Sequence, residues 1–188
     1  AKAFDRVPLH FVLSLAQQMG MPENVLGSLK ALYSQMKRHF KIGVMVGEGF
    51  QATNCILQGC PLSVVLLNVL MQIWCKDIST IAGVRARCYA DDATATGRSP
   101  RQIEQALRLT EEFSKLTGME ISFKKCECWS TCARARKTLK NKLRSACGKP
   151  IKHVLSTRLL GAALSFTRQA PVTKHIEKRL DAAKKACS

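Results

Sequence analysis

The sequence predicts an α+β domain in which helices cover one face of an antiparallel sheet. Three observations lead there. Apolar residues recur at helical spacing in some stretches and at strand spacing in others, in the order strand, helices, hairpin, helix, hairpin, helix, strands, helix. Hydrophobic residues make up 46% of the 188, enough for one domain with a sizeable core. Two adjacent carboxylates, Asp91 and Asp92, stand among apolar β-formers in the run Cys88, Tyr89, Ala90, Asp91, Asp92, Ala93. Neighbouring side chains of a regular strand point to opposite faces, so for both acids to serve one site the chain must bend there.

The elements follow in order. Residues 1–7 read as the end of a strand running into a turn at Pro8. Leu9, Val12, Leu13 and Ala16 recur at helical spacing, with Gly20 as the stop. Pro22 opens a second helix with Val25, Leu29, Leu32, Tyr33 and Met36 on one face. Phe40 to Val46 and Phe50 to Ile56 read as strands joined by the turn Gly47, Glu48, Gly49. A mostly apolar helix spans Leu62 to about Ile78. Asn68 interrupts it and is expected to bond across the core or face a site. The acidic hairpin covers residues 84–96: Val84 to Tyr89, a turn at the aspartates, then Ala93 to Thr96.

Ser99 then caps a helix that Pro100 starts and Gly118 ends, with Ile103, Ala106, Leu107, Thr110, Phe113 and Leu116 as its buried stripe. Ile121 to Phe123 and Cys126 to Ser130 read as short strands around Lys124 and Lys125. Residues 133–147 suggest a basic helix with Leu139, Leu143 and Cys147 inward. Leu159 to Leu164 reads as a strand around Gly161, and a last helix places Ile176, Leu180, Ala183 and Cys187 on one stripe.

Charge is unevenly spread. Of a net +17, residues 124–188 hold 17 Lys/Arg against 3 Asp/Glu, a balance of +14. Such asymmetry suggests a polyanionic partner, most often nucleic acid; the alternative is a solubilising basic face. The nine cysteines are an odd number scattered through apolar segments, which argues for reduced, intracellular thiols over a disulfide framework. Cys126, Cys128 and Cys132 form the only cluster; zinc would need a fourth ligand, and His153 is distant in sequence. No signal peptide is evident and no apolar run is read as long enough to cross a bilayer, so no membrane partner is expected. The chain opens on Ala1 without a start methionine, as expected of a fragment.

Two oxygen donors at a turn suit a hard divalent cation such as Mg²⁺; a solvated turn with two acids is the alternative. Residues 58–63, Gln58, Gly59, Cys60, Pro61, Leu62 and Ser63, form the second motif. Gly59 permits close backbone approach by a ligand, Pro61 suits a first helical turn, and the Gln58 amide can donate and accept hydrogen bonds just before it.

The succession K-A-F-D near the start, Q-G-C-P-L-S, Y-A-D-D, G-M-E-I-S-F-K-K and L-L-G resembles the palm of a reverse transcriptase, closest to the non-LTR retrotransposon type, and covers nearly the whole chain. The resemblance implies a right-hand polymerase fold: palm with partial fingers over residues 1–165 and the start of the thumb over 166–188. It implies template-directed deoxynucleotidyl transfer with two Mg²⁺ ions, Mn²⁺ being the alternative, on an RNA or DNA template with a DNA primer and deoxynucleoside triphosphates. Residence would be intracellular, nuclear or cytoplasmic. Nothing in the residues bears on oligomeric state.

By the same resemblance Asp91 is a direct metal ligand and Asp92 its neighbour, while Cys88 and Tyr89 seat the hairpin and approach the primer end. Lys2 and Ala3 match positions whose backbone N–H groups hold the incoming triphosphate. Phe4 matches the bulky residue that excludes a ribose 2′-hydroxyl; core packing is its other reading. Gln58 and Gly59 match residues that contact the nucleotide and its templating pair. Lys125 matches a lysine proposed to protonate the pyrophosphate leaving group, a role that burial would favour, with Lys124 a nearby rival. Leu160 and Gly161 match the primer-gripping hairpin.

Three departures stand out. The family's first-motif aspartate would fall before Ala1, so these 188 residues alone are expected to lack turnover; Asp5 is a different position. The family often has Asn where Ser122 stands, and Gly where Cys55 stands. A degenerate nucleic-acid-binding remnant and a group II intron-type or retron enzyme are the competing readings.

Overall fold

The computed structural model describes residues 3–51, 55–57, 59–160 and 162–167, with residues 177, 180, 181 and 184 beyond them. The chain divides into two compact units, residues 1–98 with 105–121 and residues 99–104 with 122–188.

The first unit is built around one helix. Helix α4 (Pro61–Ser79) follows α1 (Ala3–Arg6), α2 (Leu9–Gln18) and α3 (Glu23–Gln35), and Pro61 pre-sets the backbone of its first turn. Ser63, Leu66, Leu67, Leu70, Met71, Trp74 and Ile78 are its buried residues, the three- and four-residue spacing of one helical face. Val12, Leu13 and Ala16 from α2 and Leu26, Leu29 and Tyr33 from α3 fill the same core. Each fully buried leucine contributes about 1.5–3 kcal/mol, so α4 carries the largest share of this unit's burial. Trp74 donates its indole N–H to Thr110 Oγ1 at 3.0 Å, which joins α4 to α5 (Pro100–Thr117). Ser99 and Gln102 form a reciprocal cap at the start of α5. The Ser99 N–H donates to Gln102 Oε1 at 2.9 Å and the Gln102 N–H to Ser99 Oγ at 3.4 Å.

Several expectations are corrected. Among the described residues the expected single antiparallel sheet is instead four separate two-stranded ladders. Residues 3–6 form a helical turn rather than a strand end. The first hairpin is β1 (Lys41–Ile42) with β2 (Met45–Val46); it turns at Gly43 and Val44, not at residues 47–49, because Gly43 adopts φ +63 and closes a two-residue turn. The expected partner strand 50–56 is reduced, among its described residues, to one bridge between Phe50 and Arg38. Leu32 and Leu116 are exposed, lying off the faces that α3 and α5 bury. Asn68 is also exposed on α4, and among the described residues it has no bond across the core. By length and composition α4, 19 residues with a mean hydropathy of 1.4, could cross a membrane, contrary to the expectation that no run is long enough. A central core helix passes the same test, and its inward stripe is occupied by the core just described.

In the second unit β5 (Glu127–Cys128) pairs in parallel with β6 (Lys152–His153), and α6 (Ala133–Lys142) lies in the connection between them, as a parallel pair demands. Glu127 holds the ladder by accepting from Lys152 Nζ at 2.8 Å and Thr157 Oγ1 at 2.6 Å. Burial pushes its carboxyl up, but these two hydrogen bonds and the lysine charge outweigh it and hold the group below the usual range. Trp129 stacks on Phe166 with ring centroids 5.0 Å apart. Here too the reading is corrected. Residues 121–123 are not a strand, and residues 123–125 form a turn. Helix α6 stops at Lys142, leaving Leu139 and Leu143 buried but Cys147 exposed. The expected strand 159–164 is a hairpin of β7 (Ser156–Leu159) and β8 (Ala162–Ser165). The last helix falls mostly outside the described residues; Leu180, expected inward, is exposed.

Cys55 is buried with φ 140, a backbone region that glycine adopts freely and other residues occupy under strain. This conformation is the physical reason a glycine suits the position. The Arg38 guanidinium donates to its Sγ. Cys55→Gly and Cys55→Ala both delete the thiol and differ only in the Cβ. At an ordinary site alanine is the more stable by about 0.5–1 kcal/mol. Here the order should reverse, glycine exceeding alanine by roughly 1 kcal/mol or more in urea unfolding; an alanine variant as stable as the glycine one would contradict the strain.

Candidate active site

The two carboxylates lie at the tip of the hairpin formed by β3 (Arg85–Tyr89) and β4 (Asp92–Thr96). Tyr89 pairs with Asp92, so Ala90 and Asp91 are the two turn residues, and Ala90 takes φ 50. A two-residue turn matches strand twist when a central residue is left-handed, at a cost of about 1–2 kcal/mol for a residue with a Cβ. The expected bend at the acid pair is therefore present, displaced by one residue: Asp92 already belongs to β4.

Alternation then sorts the hairpin into two faces. Ala86, Cys88 and Ala95, with Ala90 at the turn, pack against the first unit's core. Arg85, Arg87 and Tyr89, paired with Thr96, Thr94 and Asp92, occupy the other face, where Tyr89 is 68% exposed. Helix α4 packs on β3, and the Cys75 S–H donates to Cys88 Sγ at 3.6 Å. The hairpin thus has an anchored face and an open one.

Asp91 and Asp92 are both exposed, and among the described residues neither has a hydrogen-bond or ion-pair partner. Two free carboxylates fit Mg²⁺, which takes one or two protein carboxylates and fills the rest of its octahedron with water and substrate phosphates. No group of three or more His, Cys, Asp or Glu gathers among the described residues. The cysteine cluster does not complete a zinc site either. The β5–β6 register does set His153 beside Cys128, a neighbour invisible in sequence. Yet Cys126, Cys128 and Cys132 do not converge with it, and burial plus the nearby charges of Arg136 and Lys140 push the imidazole pKa down.

The other expected site residues fall as follows. Lys2 and Gln58 lie outside the described residues, as does Gly161. Ala3 and Phe4 open α1, and Phe4 is half-buried against the core. Its carbonyl accepts from the Ile56 N–H at 2.9 Å, which brings the K-A-F-D and Q-G-C-P-L-S segments side by side. Gly59 is exposed at φ +94, and a Cβ there would meet nothing within 4 Å. Its backbone conformation calls for glycine, and the space above it is open to a ligand. Lys124 and Lys125 are exposed on the 123–125 turn of the second unit, so the burial expected for Lys125 does not hold. Leu160, at φ 47, is the exposed turn residue of the β7–β8 hairpin.

Two contributors escaped the sequence reading. Spacing alone puts Tyr33 on an apolar helix face, but its hydroxyl accepts from the Leu57 N–H at 3.2 Å and bonds Ser63 Oγ at 3.3 Å. It therefore holds the chain on both sides of Gly59. Cys75, on α4, meets the hairpin at Cys88. Neither partnership has a local signal, since the pairs lie 13 to 30 residues apart.

Residues 1–164 match the family model described as reverse transcriptase (RNA-dependent DNA polymerase). That match spans both motifs, the acidic hairpin and most of the basic segment, and the chain belongs to the reverse transcriptase family.

Proposed function

We propose that the chain is the palm, with partial fingers and the start of the thumb, of a non-LTR retrotransposon reverse transcriptase, working inside the cell in the nucleus or cytoplasm. Family membership supports the RNA-directed DNA polymerase class, with a palm-type fold, a nucleic-acid template and primer, nucleotide substrates and divalent metal. The observation that carries the site is the acid pair: exposed, unpartnered, at a left-handed turn whose other face is packed on the core.

In this reading Asp91 and Asp92 hold Mg²⁺, or Mn²⁺ in its place. When bound, the metal ions activate the primer 3′-hydroxyl and stabilise charge on the transferring phosphate. The chain's own groups orient the reactants. Tyr89, on the open face beside Asp92, meets the primer end. The backbone of Lys2 and Ala3 receives the triphosphate, and the Phe4 ring stands where a 2′-hydroxyl would project. Gln58 and Gly59 contact the base pair being formed. The exposed Lys125 amine supplies a proton to the pyrophosphate oxygen, and Leu160 and Gly161 grip the primer.

Three measurements check this reading. On the 188-residue chain, Mn²⁺ titration followed by water-proton relaxation should show binding that Asp91→Asn abolishes without altering the circular dichroism spectrum. In a chain that also carries a first-motif aspartate, the same change should cut primer extension by at least about a hundredfold. Unchanged Mn²⁺ binding would remove Asp91 from the metal site. In that longer chain Phe4→Val should raise the ratio of ribonucleotide to deoxynucleotide incorporation roughly tenfold or more. A fixed ratio would make Phe4 a packing residue only.

Nucleic-acid affinity concerns the basic second unit. Arg134, Lys137 and Lys140 are exposed on α6 with no ion pair among the described residues, whereas Arg136 donates to the carbonyls of Ser130 and Thr131 and is structural. If about four to six phosphate contacts form, log K should fall against log salt with a slope of roughly −3 to −5. Replacing Arg134, Lys137 and Lys140 with Gln should reduce that magnitude by about 2–3 in fluorescence anisotropy on a primer–template duplex. A wild-type slope near zero would assign the charge to solubility.

A further inference from the structure

Two thiols meet directly behind the acid pair. Cys75 lies on the solvent-reaching side of α4, where it lines an open depression with Gln72, Lys76, Ser79 and Thr80. Cys88 sits on the packed face of β3, three positions before Asp91. Their sulfurs are 3.6 Å apart, and both thiols are free. A disulfide needs about 2.05 Å, so the two sulfurs must close by roughly 1.5 Å. We propose that Cys75 and Cys88 are an oxidant-sensitive dithiol site whose disulfide ties the carboxylate-bearing hairpin to helix α4.

The chemistry balances with a peroxide as oxidant. The Cys75 sulfur attacks one peroxide oxygen, the O–O bond breaks, and water leaves behind a sulfenic acid. The Cys88 sulfur then attacks the Cys75 sulfur; the S–S bond forms, the S–O bond breaks, and the hydroxyl departs with the Cys88 proton as a second water. Two thiols lose two electrons and the peroxide gains them. The order of attack follows from the surroundings. Cys75 faces the depression that an oxidant can enter. Burial, with its hydrogen bond to Cys75 and the charge there, pushes the Cys88 thiol up to about 12, so Cys88 is the poorer nucleophile toward peroxide and attacks second, giving up its proton as the S–S bond forms. An exogenous thiol reverses the bond.

The consequence is positional. Cys88 and Ala90 pack on the core while Asp91 and Asp92 do not, so drawing Cys88 toward α4 moves the turn that carries both carboxylates. That this slows nucleotidyl transfer rests on the proposed function; formation of the bond does not.

The test uses the full 188-residue chain at low concentration, oxidised with hydrogen peroxide, alkylated and digested with trypsin. Cleavage after Arg87 and Arg98 isolates Cys88, and cleavage after Lys76 separates it from Cys75. The expected product is a peptide pair linked through Cys75 and Cys88, two hydrogens lighter than the free thiols, absent from Cys75→Ser and released by dithiothreitol. Amide exchange over Tyr89–Ala93 should slow in the oxidised chain and recover on reduction. Recovery of both cysteines as alkylated thiols while other cysteines oxidise overturns the proposal, as does an undiminished linkage in Cys75→Ser. Should that variant misfold, fragment-ion mapping of the wild-type linkage decides alone. In an active longer chain oxidation should lower primer extension by up to about a hundredfold. Linkage without that loss would leave the dithiol site standing and remove the acid pair from the reacting centre.

Discussion

Burial of helix α4 is the constraint on which the first unit depends. Its inward stripe, from Ser63 to Ile78, meets α2, α3, the hairpin strand β3 and, through Trp74, helix α5. The segment that enters this helix carries Gly59, and Tyr33 binds that segment at Leu57 and Ser63. The strand laid on the same helix carries Asp91 at its end. One buried surface therefore orients two separate motifs of the family. The hydrophobic effect is not directional, so the few hydrogen bonds at its margins, from Tyr33, Trp74 and the Ile56 N–H, fix which residues face out.

The acid pair shows how such a core positions charge without burying it. Adjacent carboxylates repel one another, and desolvating them would drive protons onto them. The hairpin avoids both costs by packing Ala86, Cys88, Ala90 and Ala95 inward and leaving Asp91 and Asp92 in solvent. Ala90 beside the acid pair, and Cys55 and Leu160 elsewhere in the chain, are non-glycine residues at positive φ. Residues over-determined by surrounding packing can hold such conformations.

Charge is divided between the two units for a related reason. The first carries the acids that would hold metal, with modest net charge, while the segment from Lys124 onward carries most of the chain's positive excess. In that second unit the structural cations are spent internally, Lys152 on Glu127 and Arg136 on the Ser130 and Thr131 carbonyls. The remaining exposed lysines and arginines form the field that a phosphate backbone would meet.

Helix periodicity, capping and the motifs were legible in the residues because they are local. The three- and four-residue spacing of α4, the Ser99–Gln102 cap and the bend at Asp91 each follow from groups a few positions apart. The order of motifs likewise identified the family that the match over residues 1–164 shows. Strand pairing was not legible, because an apolar run does not state its partner or direction. Hence the expected single sheet is four ladders among the described residues, one parallel through α6, and the first hairpin turns at Gly43. Burial of individual apolar side chains also escaped, since Leu32, Leu116 and Cys147 are exposed. Only the tertiary structure decided that Tyr33 clamps the Gly59 turn, that Cys75 stands behind the acid pair, and that Cys55 holds a glycine-like backbone. Each of these depends on contacts between distant residues, whose closure is set by the packing of the whole core and leaves no mark on the neighbouring sequence.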